Sequence, residues 1–269
     1  MHTIAISETA RERVRARVGK LHPFDTIEPR RTALLLIDMQ NYFVKPGHQG
    51  EVPIARGIVP NINRLGGELR RRGGHVVWIR NGTAGTRQSW SNYHDGLMTP
   101  ERMRRRYEAM EEGQEGFEFW HQNDIRPEDT CLTKTRYSAF IHGSSDVERR
   151  LRERDADTVL IAGTATNICC ESTARDAMML NFKTIMVADG LAASSDEEHN
   201  ASLSALYGQF ADVQTVDEVL QSLDRGEKAR RLAGPLLRRL VARENGGNRP
   251  DLVARVLRQA GADRSAGVE

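Results

Sequence analysis

The stretch from residue 158 to residue 182, TVLIAGTATNICCESTARDAMMLNF, restricts the possible folds more than any other part of the chain. Residues 158–162 form an apolar run of strand length, Gly163 interrupts it, and the residues that follow have the pattern of a helix. A buried strand that leads directly into a helix is the repeating unit of α/β proteins with a parallel sheet. The stretch therefore predicts one strand–helix unit of such a sheet.

The same alternation of strand and helix continues along the chain. Apolar runs predict strands at residues 32–37, 75–82, 130–132, 158–162, 184–187 and 212–216. Periodicity and capping signals predict further helices at residues 8–19, 57–72, 100–113, 144–156, 196–209 and 217–223, and Asp189-Gly190 predicts a turn. This order favours a three-layer α/β/α architecture of the Rossmann type, with a central, mostly parallel sheet.

Three segments lie outside this regular pattern. Residues 1–29 predict an N-terminal helical extension, and residues 224–269 predict an Arg-rich helical C-terminal extension. Residues 83–123 carry no strand signal, and long insertions between core elements are commonly functional. We therefore predict that residues 83–123 form a lid or insert.

Composition and charge argue against several classes of protein. The 39 basic residues nearly balance the 37 acidic ones, and a net charge of +2 is too small to indicate nucleic acid or a membrane surface as partner. The arginine run at residues 102–106 is flanked by glutamates, which predicts a solvated helix face rather than an RNA contact. No apolar run approaches the ~20 residues of a membrane span, and the N-terminus lacks the apolar core of a secretory signal. Three cysteines, an odd number, fit a reducing compartment, so we expect a cytoplasmic protein.

Two adjacent cysteines, Cys169 and Cys170, stand where the helix after the fourth strand begins. The N-terminus of a helix favours the thiolate, which is the nucleophilic form of cysteine. Cysteine is also among the most buried residue types, so packing is the competing interpretation. Two charged residues favour catalysis, because Asp38 and Lys134 follow the first and third strands and the ends of parallel strands meet at one sheet edge.

Three segments together resemble the signature blocks of the isochorismatase-like cysteine hydrolases. They are ALLLIDMQNYF (33–43), KTRYSAF (134–140) and AGTATNICCESTARDA (162–177), and the likeness extends from about residue 30 to residue 223. We therefore take residues 30–223 as one domain of this superfamily, which includes nicotinamidases, N-carbamoylsarcosine amidohydrolases and ureidoacrylate amidohydrolases.

The resemblance implies roles for individual residues. Asp38, Lys134 and Cys169 match the catalytic triad, and a cis peptide bond is implied between Thr164 and Ala165. The backbone N–H groups of Ala165 and Cys169 would form an oxyanion hole for the attacked carbonyl. Cys170 and Cys131 are then expected to be packing residues.

The residues around the second strand indicate which members of the superfamily this chain resembles most. The region WIRNGTAGTRQSW lacks the Asp-x-His pair of nicotinamidases, and the histidines have no ligand spacing, so we predict no metal and no other cofactor. The sequence is most similar to the ureidoacrylate and N-carbamoyl amidohydrolases, which implies hydrolysis of a C–N bond through a cysteine thioester. On that resemblance Asn81, Tyr137 and Trp90 are candidate substrate contacts, with Tyr93, Phe117 and Trp120 as a further apolar wall.

Other functions remain open at this point. Within the superfamily the alternatives are a nicotinamidase-like amidase and a vinyl ether hydrolase of the isochorismatase type, although the latter lacks the cysteine nucleophile. Outside it, the strand–turn–helix could bind a phosphate or nucleotide, but GTATN lacks the glycine-rich motifs of such sites. An inactive scaffold protein is the remaining possibility. The resemblance also implies a homo-oligomer, a dimer or a tetramer, acting on a small-molecule substrate.

Overall fold

The computed structural model describes residues 1–243 and contains a central sheet of six strands that are all parallel. The strands are β1 (Thr32–Ile37), β2 (His75–Asn81), β3 (Thr130–Lys134), β4 (Thr158–Thr164), β5 (Lys183–Ala192) and β6 (Asp212–Gln214). Their order across the sheet is β3-β2-β1-β4-β5-β6. The predicted parallel sheet is therefore confirmed.

Helices cover both faces of the sheet. They are α1 (Glu8–Val18), α2 (Asn41–Val44), α3 (Ala55–Arg71), α4 (Thr86–Ser89), α5 (Pro100–Met110), α6 (Val147–Arg152), α7 (Glu171–Met179), α8 (Asp196–Leu206) and α9 (Val216–Arg243). Residues of α3 and the first turns of α9 share one apolar cluster, and residues of α1, α6, α7 and α8 share the other. This arrangement confirms the three-layer α/β/α prediction.

The alternation of side chains along β1 shows why a continuous apolar run is needed here. Leu34 and Leu36 contribute to one cluster, whereas Ala33, Leu35 and Ile37 contribute to the other. Successive side chains of a strand point to opposite faces, so a strand covered on both faces must be apolar at every position.

The strand order places a ligand-binding position above β1 and β4. From β1 the chain proceeds outward through β2 and β3, then returns to β4 and proceeds to the opposite edge. Ligands of open α/β sheets bind outside the carboxyl ends of the strands at such a reversal. The register aligns these ends, because Ile37 of β1 is paired with Ile79 of β2 and with Gly163 of β4.

The predicted elements differ from the structure most clearly at two places. Asp189-Gly190 does not form a turn but lies inside β5, which continues to Ala192 after a register shift opposite residues Ile161 and Gly163 of β4. The last helix does not end at residue 223, because α9 continues to Arg243.

The structure describes the whole N-terminal extension but only part of the C-terminal extension. Residues Met1–Arg225 form one compact unit, in which α1 contributes Ala10 and Val14 to the core. A second unit begins at Gly226, and the structure describes its helical part as far as Arg243. Residues 244–269 of the predicted C-terminal extension lie outside the described residues, so the domain boundaries stay predictions.

Within residues 1–243, no helix combines the length and the apolar character needed to cross a membrane.

Candidate active site

Three side chains from three strand ends meet in the interior of the protein. Asp38 follows β1, Lys134 is the last residue of β3, and Cys169 lies in the π-helical turn Thr166–Cys170 between β4 and α7, called here the cysteine turn. The exposed fraction is 0% for Asp38 and Lys134 and 5% for Cys169. The Nζ atom of Lys134 is 2.9 Å from Oδ2 of Asp38, and both side chains interact electrostatically with the thiol of Cys169. The sequence prediction that these residues converge thus agrees with their placement.

The backbone at Asp38 leaves the strand in an unusual conformation. Its φ angle is +55°, in the left-handed region that Asp tolerates better than most residues. The N–H of Asp38 still donates to the carbonyl of Ile79 at 2.7 Å, so the turn begins directly at the end of the sheet.

Three groups surround the ammonium group of Lys134. Its ammonium group faces Asp38 and Cys169 and donates to the carbonyl oxygen of Arg136 at 3.1 Å. Burial lowers the pKa of Lys134, but the charge of Asp38 and its contact with Cys169 outweigh that effect and raise the pKa overall. Lys134 is therefore a fixed positive charge, as the pairing of a buried ion requires.

The thiol of Cys169 keeps its proton in the resting protein. Burial and the charge of Asp38 raise the pKa of this thiol to about 12, although Lys134 acts in the opposite direction. This differs from the thiolate expected at a helix N-terminus, because burial and a neighbouring carboxylate dominate here. The site is a thiol beside a carboxylate able to accept its proton.

The predicted oxyanion-hole residues, Ala165 and Cys169, lie at the start and near the end of the cysteine turn. The peptide bond between Thr164 and Ala165 is cis, and Ala165 connects β4 to the cysteine turn that contains Cys169. Their roles as oxyanion donors stay predictions. Cys170 is fully buried in the apolar cluster, as a packing residue should be, whereas Cys131 on the edge strand β3 is exposed, so its prediction as a packing residue is wrong.

The insert, residues 83–123, forms hydrogen bonds with the residues that follow Asp38. The amide of Gln40 donates to the carbonyl oxygens of Asn81 and Gly116, and Asn41 donates its N–H to the carbonyl of Glu118. The prediction that the insert adjoins the site is consistent with this anchoring. Gln40 itself, a buried residue, was not among the predicted site residues.

An aromatic cluster connects the insert to the segment that follows β3. Trp90 stacks on Tyr93 with ring centroids 4.2 Å apart, and Tyr137 meets both rings edge-on at 5.0 and 5.5 Å. Burial, a hydrogen bond with Tyr93 and the nearby Cys169 raise the pKa of Tyr137, which keeps its phenol protonated. The candidate contacts Trp90 and Tyr137 are thus brought together, whereas Phe117 packs under Arg80 and Trp120 packs against the α3 side of the core.

The third candidate contact, Asn81, is held by a residue that the sequence analysis placed at the surface. Arg106 of α5 is 6% exposed, and its guanidinium donates to Oδ1 of Asn81 at 2.9 Å. Arg102, Arg104 and Arg105 are exposed as predicted, so the prediction fails only for Arg106. The sequence does contain a signal for this burial, because Arg106 lies on the same side of the helix as Met103, Tyr107 and Met110.

No three side chains of His, Cys, Asp or Glu within residues 1–243 are close enough together to hold a metal ion. The expectation of a site without metal or other cofactor remains a prediction.

Comparisons with known proteins agree with this geometry. The family model of the isochorismatase domain matches residues 32–218, more than half of the chain. The isochorismatase family protein YecD of Escherichia coli O157:H7 is 31% identical over 71% of this chain and 96% of its own length. The ureidoacrylate amidohydrolase RutB of Klebsiella variicola is 28% identical over 71% of this chain and 87% of its own length.

Solved structures share the fold. A cysteine hydrolase from Pseudomonas syringae pv. phaseolicola 1448A has a TM-score of 0.67 and 27% identity, over 74% of this chain and 95% of that one. The N-carbamoylsarcosine amidase of Thermoplasma acidophilum has a TM-score of 0.55 and 25% identity, over 70% and 97% of the two chains. The family model, the relatives and the fold agree, and this chain is therefore a hydrolase of the isochorismatase family.

Proposed function

We propose that this protein hydrolyses a carbon–nitrogen bond of a small amide, ureido or N-carbamoyl substrate, with Cys169 as the nucleophile. The observation that carries the proposal is the buried contact of a thiol with a carboxylate and an ammonium group, which are 2.9 Å apart. The names of two relatives, a ureidoacrylate amidohydrolase and an N-carbamoylsarcosine amidase, support the same bond type.

The first half of the proposed reaction forms a thioester. Asp38 accepts the thiol proton of Cys169 while the sulfur attacks the substrate carbonyl. The positive charge of Lys134 offsets the negative charge that Asp38 and the sulfur share. The backbone N–H groups of Ala165 and Cys169 would stabilise the oxyanion. When the tetrahedral intermediate collapses, Asp38 returns the proton to the leaving nitrogen, and ammonia or an amine departs.

The second half regenerates the enzyme. A water molecule gives a proton to Asp38 and attacks the thioester carbonyl, and the C–S bond breaks. The proton on Asp38 then passes to the sulfur, so the thiol of Cys169 and the carboxylate of Asp38 are restored. Each proton that Asp38 accepts is returned within the cycle, which needs no additional cofactor.

We further place this activity in the cytoplasm, where the three free thiols of the chain would stay reduced. A homo-oligomer stays part of the proposal, and its state is measurable by light scattering.

The proposed function is tested by ammonia release from a panel of ureido acids, N-carbamoyl amino acids and small primary amides. Cys169→Ala should lose activity by on the order of 10⁴-fold or more, because it removes the nucleophile. The matched control is Cys170→Ala, which removes the adjacent buried thiol and should keep activity on the same substrate. The proposal fails if Cys169→Ala, folded by circular dichroism, hydrolyses that substrate as fast as the unaltered protein.

A further inference from the structure

Among the residues that the structure describes, Arg106 is a buried cation without an anionic partner. Its side chain is 6% exposed, and no carboxylate within the described part of the chain lies within 4.0 Å of its guanidinium. The partners that it does have are neutral: Oδ1 of Asn81 at 2.9 Å, and Tyr42, whose ring is 5.4 Å from the guanidinium carbon. The ring of Tyr93 lies at 5.8 Å.

A buried charge of this kind is costly unless something balances it. Removing a guanidinium from water is unfavourable, and an opposite charge normally offsets that cost. Arg70, another largely buried arginine of this protein, follows that rule, because its guanidinium nitrogens lie 3.0 Å from Asp124 and 2.6 Å from Asp129. Arg106 therefore differs from Arg70 in lacking a carboxylate.

The position of Arg106 indicates where a missing anion would bind. Arg106 lines a tightly closed crevice together with Asn81, Trp90, Tyr93 and His94, between the end of β2 and the insert, and these side chains must move apart before a ligand can enter. It also interacts electrostatically with Cys169. An anion paired with Arg106 would thus lie among the aromatic rings and close to the reacting sulfur.

We propose that Arg106 binds a carboxylate of the substrate, which makes the substrate a small ureido or N-carbamoyl acid rather than a neutral amide. This inference rests on the proposed function. A guanidinium presents paired N–H donors that fit the two oxygens of a carboxylate. Asn81 accepts one hydrogen bond from Arg106 and so orients the guanidinium, which makes Asn81 a positioning residue.

A different role for Arg106 would be to stabilise the thiolate of Cys169 directly. The two roles differ in a measurable way. Stabilisation of the thiolate speeds the reaction with every electrophile, whereas a carboxylate site favours only the electrophiles that carry a negative charge.

Two alkylating reagents of nearly the same shape separate these roles. Iodoacetate carries a carboxylate and iodoacetamide a neutral amide, and both label the sulfur of cysteine. The rate at Cys169 is measured for each reagent by mass spectrometry of the peptide, with the exposed Cys131 of the same molecule as internal reference. The measured quantity is the ratio of the iodoacetate rate to the iodoacetamide rate at Cys169, divided by that ratio at Cys131.

Arg106→Gln should lower this normalised ratio by roughly tenfold, because the charge-assisted pair with the reagent carboxylate is lost. The control is Arg104→Gln on the same helix, which removes an exposed arginine paired with Glu108 and should leave the ratio unchanged. If Arg106→Gln does not fold, Arg106→Lys is used instead, because lysine keeps the positive charge but lacks the paired N–H donors of the guanidinium. The normalised ratio of this variant should fall by a smaller factor. An unchanged ratio, or an equal slowing with both reagents, overturns the proposal.

Turnover provides a second measurement. The unaltered protein should hydrolyse ureidopropionate with a kcat/KM about 100-fold above that for the neutral ureidopropanol, and Arg106→Gln should remove most of this preference. Equal kcat/KM values for the two compounds in the unaltered protein would contradict the carboxylate site. If neither compound is hydrolysed but the alkylation ratio responds to Arg106→Gln, the proposed function fails while the anion site stands.

Discussion

Two charges of opposite sign act on the thiol of Cys169, and they act unequally. Burial and Asp38 raise its pKa to about 12, and Lys134 only partly opposes them. At neutral pH the thiol therefore keeps its proton, and in the proposed mechanism it loses that proton only when the sulfur attacks the substrate carbonyl. In the proposed mechanism Asp38 therefore has two roles: it accepts the thiol proton during the reaction, and its charge keeps the thiol protonated before the substrate binds.

Replacing Asp38 by Asn separates these two roles. The neutral amide cannot accept the thiol proton, so ammonia release should fall by about 10²–10⁴-fold. The same change removes a charge that raises the pKa of Cys169, so the midpoint of the pH profile for iodoacetamide labelling should move down from about 12. Asp95→Asn, an exposed aspartate of the insert, serves as control and should change neither quantity. A midpoint that stays or rises in Asp38→Asn contradicts this account of the thiol.

Among the secondary-structure elements, β1 and β4 approach each other most closely beside the site. Gly163 has a φ angle of +112°, and a Cβ atom there would lie 2.1 Å from the carbonyl oxygen of Ile37. The residue after Ile37 is Asp38, so this backbone contact fixes the position of Asp38 relative to the cysteine turn.

Gly163→Ala should therefore lower both stability and activity. The added methyl group must displace the backbone of β1, which should reduce the free energy of unfolding by on the order of 3 kcal/mol. Urea denaturation measures the loss, and ammonia release should fall with it. Gly96→Ala is the control, because a Cβ at Gly96 meets open space and should change stability by less than about 0.5 kcal/mol. Equal stability of the two variants would be incompatible with the close approach.

Helix α8 is connected to the cysteine turn through a neutral histidine. Nδ1 of His199 lies 3.0 Å from Oγ1 of Thr166, and the ring stacks on His2, which is bonded to Asp196. Burial and the neighbouring His2 lower the pKa of His199 from 6.5 to about 4.

This depressed pKa predicts a loss of stability in acid. The unfolded chain binds a proton at residue 199 near pH 6.5 and the folded protein only near pH 4, so the stabilisation is complete above pH 6.5 and falls between these values. The loss should amount to about 3 kcal/mol. His199→Gln should show a correspondingly shallower decline in urea midpoint between pH 6.5 and 4. Parallel declines in the two proteins would show that His199 does not titrate in this way.

The elements also show what can be predicted from sequence. The central strands β1 and β4 could be predicted because a strand covered on both faces needs a continuous apolar run, as in residues 32–37 and 158–162. The turn predicted at Asp189-Gly190 was wrong because turn-forming residues can continue a strand where a bulge shifts the register. Asp38, Lys134 and Cys169 were found because each stands at a strand end or at the turn that follows one. Arg106 was missed because a local pattern of alternating charge gives no information on which arginine a tertiary contact buries.

Across the whole molecule, the N-terminal helix is part of the domain core. Val14 and Ala10 are buried in the same apolar cluster as Cys169, and Arg13 donates to the carbonyl oxygens of Ser204 and Tyr207. Residues before the family-model match at residue 32 therefore contribute to the stability of the catalytic domain.

Val14→Ala should lower the free energy of unfolding by about 2 kcal/mol, because it removes two buried methyl groups and leaves a cavity. Val18→Ala on the same helix is the matched control, since Val18 is 42% exposed while Val14 is 0% exposed. Thermal unfolding followed by circular dichroism compares the two. If both substitutions have the same small effect, α1 does not pack into the core as described.

The most direct test of the central claim is to trap the covalent intermediate on the protein. Acid quenching during hydrolysis of the best substrate in the ammonia screen, followed by mass spectrometry, should show an adduct on the peptide containing Cys169, with the mass of the substrate minus the ammonia or amine that leaves. The adduct should be absent in Cys169→Ala and present in Cys170→Ala. An adduct that persists in Cys169→Ala together with undiminished ammonia release would contradict a mechanism in which Asp38, Lys134 and Cys169 act together.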